Sequence, residues 1–323
     1  MITTPLCTLL GIDHPILNAS MAGTATGALA AAVSEAGGFG MIGGTNSEGA
    51  SWLREQISIA RSLTSRPFGV GFISSFPDTE ELTGVALEAG VAAITHSFAD
   101  PTAFVAPAHA AGVKVFVQVQ TLTQAITAAR AGADVIISQG GEAGGHAGAI
   151  GTFALLPAVV DAVAPVPVVA AGGIADGRGL AAALLLGAQG AWMGTRFVTS
   201  DEWGGSSWER EAVLAATSDD TVQTRVYDLI AERPFPAVNP DRMLRNSFID
   251  RWTGRESEIS AHREALQAEV AAGHERADLA VAGVSAGVSA GLITSARPAG
   301  EIVREIIRDA EVLLRERPRT LLG

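Results

Sequence analysis

From the start of the chain to about residue 200, short and almost purely apolar runs alternate with longer alanine-rich amphipathic stretches. The short runs are "PILNA" (15–19), "GMIGG" (40–44), "FGVGF" (68–72), "AAITHS" (92–97), "VKVFVQV" (113–119), "DVIISQG" (134–140), "VPVVAAGG" (166–173) and "GAWMGTRF" (190–197). They are rich in Val, Ile and Ala and show little polar alternation, the pattern of strands buried on both faces of a parallel sheet. Between them lie helix-period stretches such as "TGALAAAVSEAG", "LTQAITAARAG" and "GRGLAAALLLGA". Several of these carry the glycine expected just past a helix C-terminus. Eight strand–helix units predict an α/β fold of the (β/α)8 TIM-barrel type, with a doubly wound open sheet as the alternative.

The pattern changes after residue 200. Charged and Trp-containing helical stretches occupy 201–285, interrupted by the irregular "ERPFPAVNPDRM" (232–243). The helix "SEISAHREALQAEVAAG" follows, and "PAGEIVREIIRDAEVLLRER" (298–317) closes the chain as an amphipathic helix. The expected organisation is a barrel over 1–200, a helical subdomain over 201–285 covering the barrel mouth, and a segment 286–323 whose helix packs back on the barrel.

The composition narrows the class. Across 323 residues, 48% are hydrophobic and 17% charged, as in a globular protein. The formal net charge of −12, without a basic cluster, argues against nucleic acid or an anionic membrane surface as partner. The sole cysteine, Cys7, excludes an internal disulfide and reads as a packing residue. The N-terminus shows no basic segment followed by an apolar run, and no span of about 18 apolar residues occurs, so the expectation is a soluble, cytoplasmic protein. The sequence leaves the oligomeric state open, a homodimer among the assemblies it allows.

In a barrel of this kind the strand C-termini point to the active face. There the chain offers "NASMAG", Gln118 and Gln120, "QGGEAGGHAG" (139–148), "AAGGIADG" and "MGTRF". Gly172 and Gly173, with a helix start behind them at Asp176, suit backbone approach to a phosphate, and Gly194 and Thr195 add N–H groups and a hydroxyl. Tight strand–helix turns are the alternative use of the same glycines. Gln118 and Gln139 end apolar strands, where an amide must find partners; these are either a planar heterocycle such as a flavin or the barrel's own loops. Met21 can pack against a ring system or simply fill the core. His146 lies in the glycine-rich loop and reads as a general base or electrostatic group, while His96, at the end of the fourth strand, is the second candidate. Without HExxH or a histidine–carboxylate cluster at ligand spacing, no metal site is expected. Glu142 has no evident role.

"QGGEAGGHAG", followed by "AAGGIADGRGLAAALLLGAQGAWMGTRF", resembles the nitronate monooxygenase family, formerly 2-nitropropane dioxygenases. "PILNASMAGTATGALAAAVSEAGGFGMIGG" and, weakly, "SAGLI" (289–293) extend the likeness over most of the chain. The resemblance implies an FMN-dependent TIM barrel that oxidises alkyl nitronates with O2 to a carbonyl compound and nitrite, with His146 as the catalytic residue. It implies that Ser20, Met21 and Ala22 lie along the flavin ring and that Gln118 and Gln139 bond its polar edge. Gly144, Gly173, Gly194 and Thr195 would hold the phosphate. Small-molecule nitronate or nitroalkane and O2 would be the partners.

Three departures touch the substrate side. Gly71 in "FGVGF" stands where many relatives have Asn in "FGVN". "RPFPAVNPDRMLRN" is longer than the usual "RPARxLRN". The segment "AVAGVSAGVSAGLI" lacks the Gln or Glu often found before the last glycine pair. Two other functions remain compatible with these residues: an NAD(P)H-dependent FMN reductase of the enoyl-acyl-carrier-protein or quinone type, and a flavin-binding barrel without turnover. Anaerobic reduction of the flavin by NADH or by nitronate would separate them.

Overall fold

The computed structural model describes residues 2–322. Its strands in chain order are β1 (Ile16–Asn18), β2 (Gly40–Gly43), β3 (Phe68–Ile73), β4 (Ala93–Ser97), β5 (Lys114–Val119), β6 (Val135–Gln139), β7 (Gly145–His146), β8 (Val168–Ala171), β9 (Gly190–Met193), β10 (Thr221–Thr224) and β11 (Asp241–Leu244). Eight of them form one parallel sheet in the order β1-β9-β8-β6-β5-β4-β3-β2, with helices in the connections. The sheet's two ends meet through one parallel bridge, Leu17 opposite Phe39. Beyond that bridge the side chain of Asn18 continues the ladder. Its amide donates to Met41 O (2.8 Å) and accepts from Met41 N (2.8 Å). A nearly closed (β/α)8 barrel results, as the alternating pattern predicts.

Strand alternation sorts the core into two layers. Inside the barrel, Leu17, Met41, Ala93, Phe116, Ile137, Val169 and Trp192 pack together. Leu6, Cys7 and Leu10 of the N-terminal helix Pro5–Leu10 seal the lower end of this cluster, so Cys7 is a buried packing residue. The alternate positions, among them Ile42, Val70, Ile94, Val117, Ile136 and Ala170, face the helices. The final helix, Ala299–Leu322, buries Ile302, Val303, Ile306, Ile307 and Ala310 along one face. Each of the Ile and Val side chains contributes roughly 1.5–3 kcal/mol relative to exposure. Gly177 admits this helix, because a Cβ there would sit 2.6 Å from Ala310 N.

Two boundaries differ from the sequence pattern. The eighth barrel strand ends at Met193, and the residues expected to prolong it form a helical turn, Thr195–Val198. The turn begins beside Gly194, whose carbonyl accepts from Phe197 N (2.8 Å) and Val198 N (3.1 Å). The segment 201–285 is also not wholly helical. β10 and β11 pair antiparallel, and β11 pairs antiparallel with β7, placing Asp241 opposite His146 and Arg242 opposite Gly145. The glycine-rich stretch read as a loop is therefore partly an edge strand, whose partner lies some 95 residues downstream and was invisible to local periodicity. Around this sheet, Val226, Tyr227, Ile230, Phe248, Ile249, Trp252 and Leu266 form a separate apolar cluster.

Candidate active site

Barrel-interior parity carries upward from the packed layer to Gly71, Thr95, Gln118 and Gln139, two residues on from Gly69, Ala93, Phe116 and Ile137. The rim facing the mouth is thus made of small side chains, hydroxyls and amides. Two buried oxygens here, Thr95 Oγ1 and Gln120 Oε1 just past the end of β5, have no hydrogen-bond partner among the described residues. Ser20 and Met21 are half-buried and Ala22 exposed, on the turn that follows β1. A Cβ on Gly71 would lie 2.0 Å from Ser20 Oγ, so the serine occupies the space that a side chain at 71 would need. Met21 sits beside Gly194, its sulfur 3.9 Å from where a Cβ would stand.

Gln139 is committed to its neighbours. Its amide donates to the His146 carbonyl (3.0 Å) and accepts from Gln120 Nε2 (2.9 Å). These bonds join the amide to the glycine-rich stretch and to the end of β5. Gln118 is half-buried on the inner face of β5.

The glycine turns divide into two kinds. Gly172 and Gly173 adopt φ of 96° and 76°, a conformation that side chains disfavour. Asp176 caps the helix behind them, accepting from Arg178 N (2.9 Å) and Gly179 N (3.1 Å). Gly144 instead permits backbone packing, since a Cβ would lie 2.5 Å from Gly287 N. The Thr195 hydroxyl accepts from that same Gly287 N at 3.0 Å. Gly144 and Thr195 are therefore joined through the 286–287 segment.

Glu142 has a structural purpose that the sequence did not reveal. Its carboxylate accepts from Thr152 N (3.0 and 2.8 Å) and Thr152 Oγ1 (2.9 Å), capping the helix Thr152–Val163. It thereby ties the glycine-rich stretch to the next barrel helix.

His146 is buried, and its Nε2 lies 2.8 Å from Asp228 Oδ2, the two side chains being 7% and 6% exposed. Against a carboxylate only the N–H form of Nε2 makes this bond, which leaves Nδ1 as the nitrogen able to take a proton. Phe235 stacks on the imidazole with ring centroids 3.3 Å apart and planes inclined by 7°. Phe98 meets the imidazole edge-on at 6.1 Å and Phe235 at 5.5 Å, and Phe76 adds a further edge contact to Phe235 at 5.5 Å. Phe98 holds a φ of 67°, a left-handed conformation costly for a bulky side chain.

Asp228, Phe235 and the neighbouring Asp241 all belong to the segment after the barrel, and sequence reasoning missed all three. One signal was present. In "VYDLIA" the helix Val226–Ala231 buries Val226, Tyr227 and Ile230, and it buries the intervening carboxylate as well. A buried acid needs a partner.

His96 does not face the mouth. Its position on β4 has the outward parity of Ile94, and its ring stacks on Phe104 of the neighbouring helix at 4.0 Å. Nδ1 meets Ser74 Oγ at 2.9 Å, and burial depresses the imidazole pKa to about 3. It is a neutral packing residue; strand alternation, rather than the strand's end alone, decides which way a side chain points.

A family model described as nitronate monooxygenase matches residues 3–309. The chain belongs to this family of oxidoreductases. A probable nitronate monooxygenase from Staphylococcus saprophyticus is 33% identical over 308 residues, with 80% of this chain and 83% of the relative covered. The (3aS,4S,5R,7aS)-5-hydroxy-7a-methyl-1-oxo-octahydro-1H-indene-4-carboxyl-CoA dehydrogenases of Mycobacterium tuberculosis and Rhodococcus jostii are 36% and 37% identical over 77% and 71% of this chain. The matches span 68% and 65% of those relatives, about two thirds of their length. Among solved structures, FabK from Thermotoga maritima superposes with a TM-score of 0.89 at 37% identity, covering 99% of this chain and 100% of that one. The nitroalkane oxidase from Streptomyces ansochromogenes superposes with a TM-score of 0.83 at 28% identity, covering 98% and 99%. No helix among the described residues is long and apolar enough to cross a membrane.

Proposed function

We propose that the chain is an FMN-dependent oxidoreductase of acidic carbon compounds, taking alkyl nitronates and their parent nitroalkanes with O2 to a carbonyl compound and nitrite. The observation that carries this reading is the buried His146–Asp228 pair at the mouth of an amide- and hydroxyl-lined barrel. The residues fit a flavin nucleotide. The unpartnered Thr95 Oγ1 and Gln120 Oε1, with Ser20 and Gln118, suit the polar edge of a planar ring, and Met21 and Ala22 suit its face. Gly172 and Gly173, with Gly194 and Thr195, suit the phosphate end, Gly144 acting through the 286–287 backbone. FMN, when bound, supplies the redox chemistry.

The chain's own part is the proton. Asp228 holds the Nε2 proton, so Nδ1 can remove the α-hydrogen of a nitroalkane as a proton. The C–H electron pair stays with the substrate and passes into the nitro group, giving the nitronate. A nitronate supplied ready-made skips this step. His146→Asn should therefore cut nitroethane turnover by about 10²–10⁴-fold while flavin stays bound and ethyl nitronate is still oxidised. Full nitroethane turnover by the variant, or purified protein with no flavin spectrum, would overturn the reading.

A second reading is an NAD(P)H-dependent reductase. It is favoured by the likeness to two carboxyl-CoA dehydrogenases, 36% and 37% identical, and to FabK at 37% identity. In that reaction His146 would hand a proton to carbon rather than remove one. Anaerobic bleaching of the flavin by NADH but not by ethyl nitronate selects this reading over the first.

A further inference from the structure

Around His146 the charges do not balance without one more acid. Asp228 accepts from the imidazole through Oδ2, while its Oδ1 has no hydrogen-bond partner among the described residues. The nearest cation to that oxygen is Arg233 Nη1 at 3.9 Å, on a side chain 46% exposed. A protonated imidazole would share Asp228 with Arg233, so these three groups together would carry one positive charge beside a buried ring, which is costly.

Asp241 is placed to meet that cost. It is 4% exposed and stands directly opposite His146 in the β7–β11 pairing. Among the described residues its side-chain hydrogen bonds come from one hydroxyl, Ser285 Oγ, at 3.2 and 3.3 Å. The groups around it are His146, Asp228, Arg233, Ser285 and Tyr227. Tyr227 stays uncharged, its phenol pushed up to about 12 by burial and its hydroxyl donating to Val281 O at 2.6 Å. A carboxyl on this buried strand position, directly opposite the imidazole, has no packing rationale.

We propose that Asp241 is a positioning residue for His146, its carboxylate supplying the counter-charge when the imidazole takes the substrate's proton. The proposal rests on the general-base reading above. In the step itself the carbon–hydrogen bond breaks, the electron pair remains on the substrate, and the proton bonds to Nδ1 of His146. Asp241 neither gains nor loses an atom. Burial first, and Asp228 beside it, push the Asp241 carboxyl up to about 6, against the opposing pull of His146, Arg233 and Ser285. The counter-charge is therefore available above that pH and lost below it.

Two measurements on the FMN-loaded protein test this. The first follows the Asp241 carboxyl by 13C NMR across pH in the wild type and in His146→Gln. Loss of the imidazole should move the midpoint upward, and an unmoved midpoint overturns the coupling whatever the enzyme's substrate. The second compares nitroethane with ethyl nitronate in Asp241→Asn, which keeps the shape and removes the charge. Nitroethane kcat/KM should fall by about 10–100-fold while ethyl nitronate kcat/KM stays within about twofold, and the nitroethane profile should lose its step near pH 6. Equal losses on both substrates would make Asp241 a packing residue and overturn the proposal. Wild-type enzyme inert toward both compounds would instead sink the functional reading, with the NMR midpoint still deciding the coupling.

Discussion

The two regions that meet at the mouth differ in chemistry. The barrel contributes Gly71, Thr95, Gln118 and Gln139, and the one charge in its glycine-rich stretch, Glu142, is spent on capping the helix at Thr152. The segment 226–241 contributes Asp228, Arg233, Phe235 and Asp241, the charged and aromatic partners gathered at His146. The barrel offers an uncharged, hydrogen-bonding surface fixed by the sheet. The added segment supplies the groups packed against the imidazole. On the proposed reading, cofactor binding draws on the barrel and the tuning of His146 on the added segment, and the two should be separable by mutation.

The sharpest way to break the pairing is Asp228→Asn. The amide cannot hold the charge or enforce the Nε2–H tautomer, and nitroethane kcat/KM should drop by about 10²–10³-fold. Flavin content, read from the visible spectrum, should be unchanged; a variant that loses flavin in parallel would show that the two regions are not independent. Next in size is Phe235→Ala, which uncovers the imidazole face. A rise of about tenfold in nitroethane KM with smaller change in kcat is expected, since an aromatic contact contributes about 0.5–1.5 kcal/mol beyond its buried area. Steady-state kinetics on nitroalkanes of increasing chain length would show whether the wall of Phe76, Phe98 and Phe235 grips the substrate's apolar part.

Asp241→Asn makes a prediction about stability as well. The folded-state pKa, raised to about 6 from the model-compound 3.8, means that the native state binds the proton more tightly than the unfolded chain. Stability from this group is full below the unfolded value and is lost as pH climbs from about 4 to about 6. Asparagine escapes that loss, so the variant should be more stable than wild type at pH 7.5 by about 3 kcal/mol, measured by urea unfolding, and equal to it near pH 4. Higher stability joined to weaker nitroethane turnover is the signature of a residue kept for function. The smallest effect is expected from Glu142→Gln on the barrel side. Weakening the Thr152 contacts should cost about 1–2 kcal/mol, with nitronate turnover almost unchanged.

The barrel was legible because each of its strands is read within a few residues, as "VKVFVQV" and "DVIISQG" show, and because Asp176 marks a helix start by its own side chain. His146 and the Gly172–Gly173 turn were legible for a related reason: their composition is itself the signal. The partners of His146 were not. Asp228 lies 82 residues away and Asp241 meets the histidine only through a strand pairing with no local periodicity on either side. His96 shows the converse failure, since its position at a strand end was plain but its outward parity decides its role.

The closure of the barrel at Asn18 has a kinetic consequence. Between β1 and β2 one backbone bridge and one side-chain amide do what full ladders do between the other strands. Thermal opening should begin along this line, and amide protons of residues 40–43 should exchange with deuterium ahead of those in β4 and β5. Asn18→Leu would leave the Met41 N–H and carbonyl without their partners and widen that gap in exchange rates. Because Ser20 and Met21 follow Asn18 by two and three residues, the breathing of this one stave would be felt first by the turn proposed to line the flavin ring.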